Sequence, residues 1–164
     1  MSLANRFPKS QEIVSVYAVG VVVLYAWMFI FTMKDFVNTW SLFLNVADVL
    51  SLFAYTTTGA FVESLLVIAV LLFIHFLLPQ KITANRFVPY GVILTLSFLG
   101  AIMRYYPAIF FVIAFLALAL LSEYVQAVRK IIETIADRCI IFLYVYMPLS
   151  LVSIIVVVVR NIGA

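Results

Sequence analysis

Four ionisable side chains of this sequence stand in or beside long apolar stretches: Asp48, Glu63, His75 and Arg104. An ionisable group at membrane depth is costly, and by default it marks an ion path, a proton relay or a ligand contact. Each also has a plainer reading from its position. Glu63 lies two residues into an apolar stretch that opens at Phe61, which puts it near an interface. His75 lies four residues before Pro79, again near an end. Arg104 precedes Tyr105 and Tyr106, a set that suits headgroup contact by snorkelling at a helix end. Asp48 has the most company. Asn38, Ser41, Asn45, Asp48 and Ser51 recur at spacings of three and four, so they share one helix face, opposite Trp40, Phe43, Val46, Leu50 and Phe53.

Chemistry at these positions is limited. Glu63 and His75 are twelve residues apart, about 18 Å along a helix, too far for a direct pair. A turn at Thr56-Thr57-Thr58-Gly59 would let Asp48 approach Glu63, and two carboxylates there would hold a cation or share a proton. The same run reads alternatively as a re-entrant loop offering carbonyls to an ion, and most simply as the cap of a helix starting at Phe61. With one cysteine, Cys139, and one histidine, a Cys-only metal site and bis-His ligation within the chain are excluded. Five glycines form neither a phosphate-binding loop nor a dinucleotide fingerprint. No metal and no cofactor is expected.

The elements that would position these groups follow from composition. The 164 residues are 67% hydrophobic and 10% charged, against about 45–50% and 25% in soluble domains. With a mean hydropathy of +1.24, the chain reads as an all-α integral membrane protein, a single membrane domain built as a polytopic helical bundle. Spans are expected over about 13–33, 61–79, 88–103, 108–122 and 139–159; a crossing needs roughly 20 apolar residues, and the third and fourth are short of that. The first is too long for a signal-peptide core and no small-residue cleavage site follows it, so it reads as an uncleaved span. The third and fourth are separated only by Arg104-Tyr105-Tyr106-Pro107 and read as a tight hairpin. Ser97-x-x-x-Ala101 and Ala60-x-x-x-Ser64 are spaced to let helices approach closely.

The segment 36–55 either lies in the interface or crosses with its polar stripe inward. Lys and Arg distribution favours the first. Five spans put Arg6, Lys9, Lys81, Arg86, Arg129, Lys130 and Arg138 on one side and Lys34, Arg104 and Arg160 on the other, with the N-terminus cytoplasmic. A sixth span divides the basic residues four against six and puts the N-terminus outside.

Over about 123–138 the pattern turns amphipathic. Val125, Val128, Ile132 and Ile135 form a narrow apolar stripe on the cytoplasmic side, with Arg129, Lys130, Glu133 and Asp137 off it. No Gly or Pro interrupts Ala108 through Met147, so the fourth helix is free to continue through this extension. The expected role is non-catalytic: an interaction or structural subunit in a plasma or inner membrane, with the lipid bilayer and other membrane subunits or further copies as partners. Scattered basic residues give no nucleic-acid surface. Two other classes stay open. One is a small transporter or channel component lined by Asp48, Asn45 and Glu63. The other is an interfacial enzyme on lipid-linked substrates, using Asp48, Glu63 and Arg104.

Overall fold

A computed structural model describes residues 8–77, 86–102 and 108–162. Every regular element among them is helical. Helix α1, Ser10–Asp35, begins with Glu12 Oε2 accepting the backbone N–H of Lys9 at 3.0 Å, half of a capping box. It runs on without a break through a π-helical turn, Phe36–Trp40, and a short α-turn, Ser41–Phe43. Leu44 is extended, and Asn45 Oδ1 accepts the Asp48 N–H at 2.9 Å, which caps helix α2, Val46–Leu77. Helices α3, Phe87–Ile102, and α4, Ala108–Tyr124, follow. Pro89 sits in the first turn of α3, where a missing N–H costs nothing. Helix α5, Gln126–Ile162, is the longest at 37 residues.

Three expectations change here. The single amphipathic helix over 36–55 is divided at Leu44–Asn45: its first half extends α1 and its second half opens α2. Asn45 is a cap rather than a member of a face, and an extended residue before it ends the preceding helix. The run Thr56-Thr57-Thr58-Gly59 is neither turn nor cap but mid-helix in α2. The Thr56 and Thr57 hydroxyls donate to carbonyls three or four residues back, so the helix absorbs them. Finally, the amphipathic stretch belongs to the last helix, not the fourth. The chain changes direction at Val125, whose N–H donates to the Leu121 carbonyl while its own carbonyl accepts from Val128 and Arg129. One residue serves as the end of α4 and the start of α5, and no Gly or Pro is needed.

Three helical runs are long and apolar enough to cross a membrane: Ser10–Phe43, Val46–Leu77 and Gln126–Ile162. The spans expected over 88–103 and 108–122 coincide with α3 and α4, apolar helices of 16 and 17 residues.

The chain divides into two compact units, Met1–Gly20 with Leu66–Ile140 and Val21–Leu65 with Ile141–Ala164. In the first, α1 and α3 approach closely at two glycines. A Cβ on Gly91 would lie 2.9 Å from Cγ2 of Val16, and a Cβ on Gly20 would lie 3.3 Å from Cγ2 of Thr95. The two contacts advance together, 16 to 20 on α1 and 91 to 95 on α3, so these helices run parallel. Val16, Ala18, Val19, Val92, Ile93 and Leu99 are buried around them. Small residues at a crossing are how helices meet closely in lipid, where apolar solvent gives no hydrophobic drive. In the same unit His75, near the end of α2, packs edge-on against Phe87 at the start of α3. Helix α4 packs on α3.

In the second unit Tyr25 of α1 is buried, its ring 4.4 Å from that of Tyr146 on α5 and its hydroxyl bonded to Ser150. Phe53 of α2 meets Phe36 and Trp40, which clasps the two-residue connection between helices. Ala54, Thr57, Ala60 and Ser64 form the buried stripe of α2, so the Ala60–Ser64 pair does line an inward face. The Ala101 side chain of the other such pair lies outside the described residues.

Gly91→Ala is expected to destabilise the fold by about 1–3 kcal/mol by overpacking against Val16. Gly20→Ala should be near neutral, since its contact is only slightly tight and alanine gains about 1 kcal/mol of helix propensity. Thermal unfolding in detergent micelles measures both. Adding Val16→Ala to Gly91→Ala should restore part of the loss.

Candidate functional site

Polar side chains gather at helix ends. In the first unit, the start of α1, the start of α3 and the first turns of α5 enclose an open cavity of about 360 Å³ lined by Lys9, Glu12, Ser15, Arg129, Glu133 and Asp137 among others. Ser15 is buried, with Oγ 2.8 Å from Asp137 Oδ1 and 3.0 Å from the Gln11 carbonyl; its one proton serves one acceptor at a time. Arg129 pairs with Glu133 one turn on at 2.8 Å. Glu12 is engaged by the α1 cap. The carboxylates here are thus taken up by a cap, a cross-helix tie and an ion pair.

Beside it, Glu123 at the end of α4 accepts from Tyr90 Oη at 2.9 Å and pairs with Arg86, which closes the α3–α4 hairpin. An apolar cleft of about 370 Å³ lies between α2, α3 and α4, with Leu71, Leu94 and Phe115 on its walls. His75, Arg86 and Tyr90 are its polar lining. Neither Ser15–Asp137 nor Arg86–Glu123 has a local sequence signal, because 122 and 37 residues separate the partners. Only Arg129–Glu133, at helical spacing, is visible in the sequence.

In the second unit Asp48 meets the far end of α5. Arg160 donates to Asp48 Oδ1 at 3.2 Å, and Asn161 donates to Tyr55 Oη at 2.9 Å. Asn45 caps α2 from the same turn. The polar stripe read from spacing is therefore split in use. Asn45 and Asp48 organise the start of α2, and Ser51 bonds back to the Ala47 carbonyl.

Asp48 and Glu63 do not meet. They are fifteen residues apart on one continuous helix, about 22 Å. Glu63 is not near an end either. It stands 17 residues after Val46 and 14 before Leu77, exposed, with no hydrogen bond or ion pair among the described residues. The spacing puts it at a helix start only because Thr56-Thr57-Thr58-Gly59 reads as a breaker. A charged side chain at the centre of a spanning helix costs about 2.5–3.5 kcal/mol on insertion scales. Arg104 and Tyr105 lie outside the described residues.

The stripe Val125, Val128, Ile132 and Ile135 does not share one exposure. Val128 and Ile132 are half-buried, whereas Val125 and Ile135 are exposed. The outward groove on α5 is instead lined by Ala127, Lys130, Ile131, Thr134, Ile135 and Arg138. A narrow stripe has two flanks, and only packing decides which of them is covered.

Among the described residues no three His, Cys, Asp or Glu side chains gather to hold a metal ion. Comparison of the chain with family models, curated proteins and solved structures finds no match.

The Asp48–Arg160 pair is half-exposed, so a double-mutant cycle of Asp48→Asn and Arg160→Gln should return a coupling of about 0.2–1 kcal/mol. Asn45→Ala removes the α2 cap and should cost about 0.5–2 kcal/mol in the same unfolding assay. A loss at Asp48→Asn well above the loss at Asn45→Ala would contradict this ordering.

Proposed function

We propose that this chain is a multi-pass membrane protein that crosses five times and serves as a non-catalytic subunit, binding other membrane chains through the cytoplasmic start of α5. The observation that carries the reading is the outward groove of α5. Ile131 and Ile135 are 57% and 53% exposed among Lys130, Thr134 and Arg138. Ordinary lipid-facing surface has no such charges interleaved with it. An apolar strip within a charged helical segment calls for a protein cover. At 37 residues, α5 is about 56 Å long against a hydrocarbon core of about 30 Å, so a third or more of it extends beyond that core.

Five crossings are supported by the directions of the segments within the first unit. Starts of α1, α3 and α5 are tied there to ends of α2 and α4 through Ser15–Asp137, His75–Phe87 and Arg86–Glu123. The helices therefore alternate in direction. Lys9, Arg86, Arg129 and Lys130 lie at those starts of α1, α3 and α5, which supports a cytoplasmic placement of that end by the positive-inside rule. Helices α3 and α4, at 16 and 17 residues, lie at the short limit for spanning and fit a hairpin of two brief crossings.

Reporter fusions are expected to place the N-terminus in the cytoplasm and the C-terminus on the opposite side. Termini on one side would mean an even number of crossings and would overturn the topology. Ile131→Asp with Ile135→Asp should leave membrane insertion intact while removing stoichiometric partner chains from the complex extracted in mild detergent. Mass spectrometry of that complex reads the result, and retention of every partner would sink the docking role. Ile132 is the wrong probe, because it is half-buried and its substitution would disturb packing as well.

A further inference from the structure

We propose that the outward face of α2 around Glu63 is a second intramembrane contact, made to a partner transmembrane helix that carries a lysine or arginine at mid-membrane depth. It rests on the reading that α2 crosses the membrane. Glu63 is close to the middle of a 32-residue helix that is long and apolar enough to span. Its side chain is exposed and has no polar partner among the described residues, so in lipid it would face hydrocarbon. Ionised carboxylates are not left so; they are covered, paired or neutralised.

Gly59, one turn earlier on the same face, adds an independent observation. It is exposed, and a Cβ built there meets nothing within 4 Å. Unlike Gly91 and Gly20, which make room for this chain's own helices, Gly59 serves no contact in the fold. A small residue one turn from a buried-depth carboxylate is what a close helix crossing needs: backbone approach at 59 and a charge pair at 63. Val62, 50% exposed, completes the apolar flank.

Charge complementarity chooses the occupant. A second copy of this chain would bring another carboxylate to the same depth. Its described cations cannot serve, because Lys9, Arg86, Arg129, Lys130 and Arg160 lie at or near helix ends, Lys34 follows the apolar run Ile13–Met33 and Arg138 precedes the apolar run Cys139–Val159. The complementary group must come from a different chain with a basic residue at its centre.

Two synthetic transmembrane peptides test this. Both are Leu/Ala helices of about 20 residues with one photoreactive leucine, and they differ only at the centre, lysine in one and leucine in the other. The full-length protein is reconstituted with each in phosphatidylcholine vesicles and irradiated, and crosslinked sites are mapped by mass spectrometry. The expected result is crosslinking around Gly59 and Glu63 that is about tenfold stronger with the lysine peptide, about 1.4 kcal/mol at 25 °C. Glu63→Asp should retain the preference, and Glu63→Leu and Gly59→Leu should abolish it. Equal crosslinking by both peptides overturns the proposal. So does no crosslinking by either, which would leave Glu63 neutralised in lipid, and so does a homodimer that Glu63→Leu dissolves. Carbonate washing separates the two levels of the claim. A protein stripped from vesicles overturns the membrane reading and this contact with it, whereas a protein that resists washing but shows no lysine preference overturns this contact alone.

Discussion

The parallel crossing of α1 and α3 is the constraint on which the first unit depends. Its two contacts, Val16 with Gly91 and Gly20 with Thr95, lie one turn apart and fix register as well as distance. Near the end of α2, His75 packs on Phe87 at the start of α3, so the end of one helix lies beside the start of the next. Arg86–Glu123 then ties the end of α4 to the start of α3, and Ser15–Asp137 ties α1 to α5. A methyl group at Gly91 would press into Val16, whereas one at Gly20 would meet only a slightly tight contact with Thr95, so the crossing is least tolerant at Gly91.

In both units the apolar helices accommodate hydroxyls by turning them to their own backbone. Thr95 donates to the Gly91 carbonyl, Ser64 to Phe61, Ser122 to Ala119 and Ser153 to Leu149. All four are buried. In a medium without water each unbonded hydroxyl would be costly, and the helix supplies an acceptor at no conformational expense beyond one rotamer. Polar composition inside the bundle is therefore compatible with small, close-packed side chains and needs no polar lumen. Thr58, whose buried hydroxyl makes no hydrogen bond among the described residues, departs from this pattern, and so does Glu63, since no carbonyl can satisfy a carboxylate.

The all-helical character and the presence of membrane-length apolar helices were legible in the sequence, because its composition leaves long apolar runs with few charges. The bounds of α3 and the start of α4 were legible too, since Pro107 and the basic residues punctuate them. What escaped was local competition. Asn45 sits on a plausible polar face, yet its pairing with an acidic residue three positions on is also the mark of a cap, and the cap prevails. Thr56-Thr57-Thr58-Gly59 looks like a breaker, but hydroxyls that bond back to the helix cease to compete with it. That second competition is what moves Glu63 from the start of a helix to its middle. The turn at Val125 has no signal at all, because ordinary residues make it. Of the site residues, Asp48 stands out in the sequence, but Arg160 and Asn161 are more than a hundred positions away from their partners and no spacing rule reaches them.

The connection at Leu44–Asn45 bears on the order in which this chain assembles. Two residues join a 34-residue helical run to a 32-residue helix, and Phe36, Trp40 and Phe53 meet across the joint. Closing so short a loop costs little chain entropy, whereas bringing Val16 to Gly91 closes a loop of about 75 residues. The first two helices are thus a nascent hairpin that can form as soon as both have left the ribosome. The glycine-notched crossing has to wait for α3, and it arrives as a late step that locks a pair already folded back on itself.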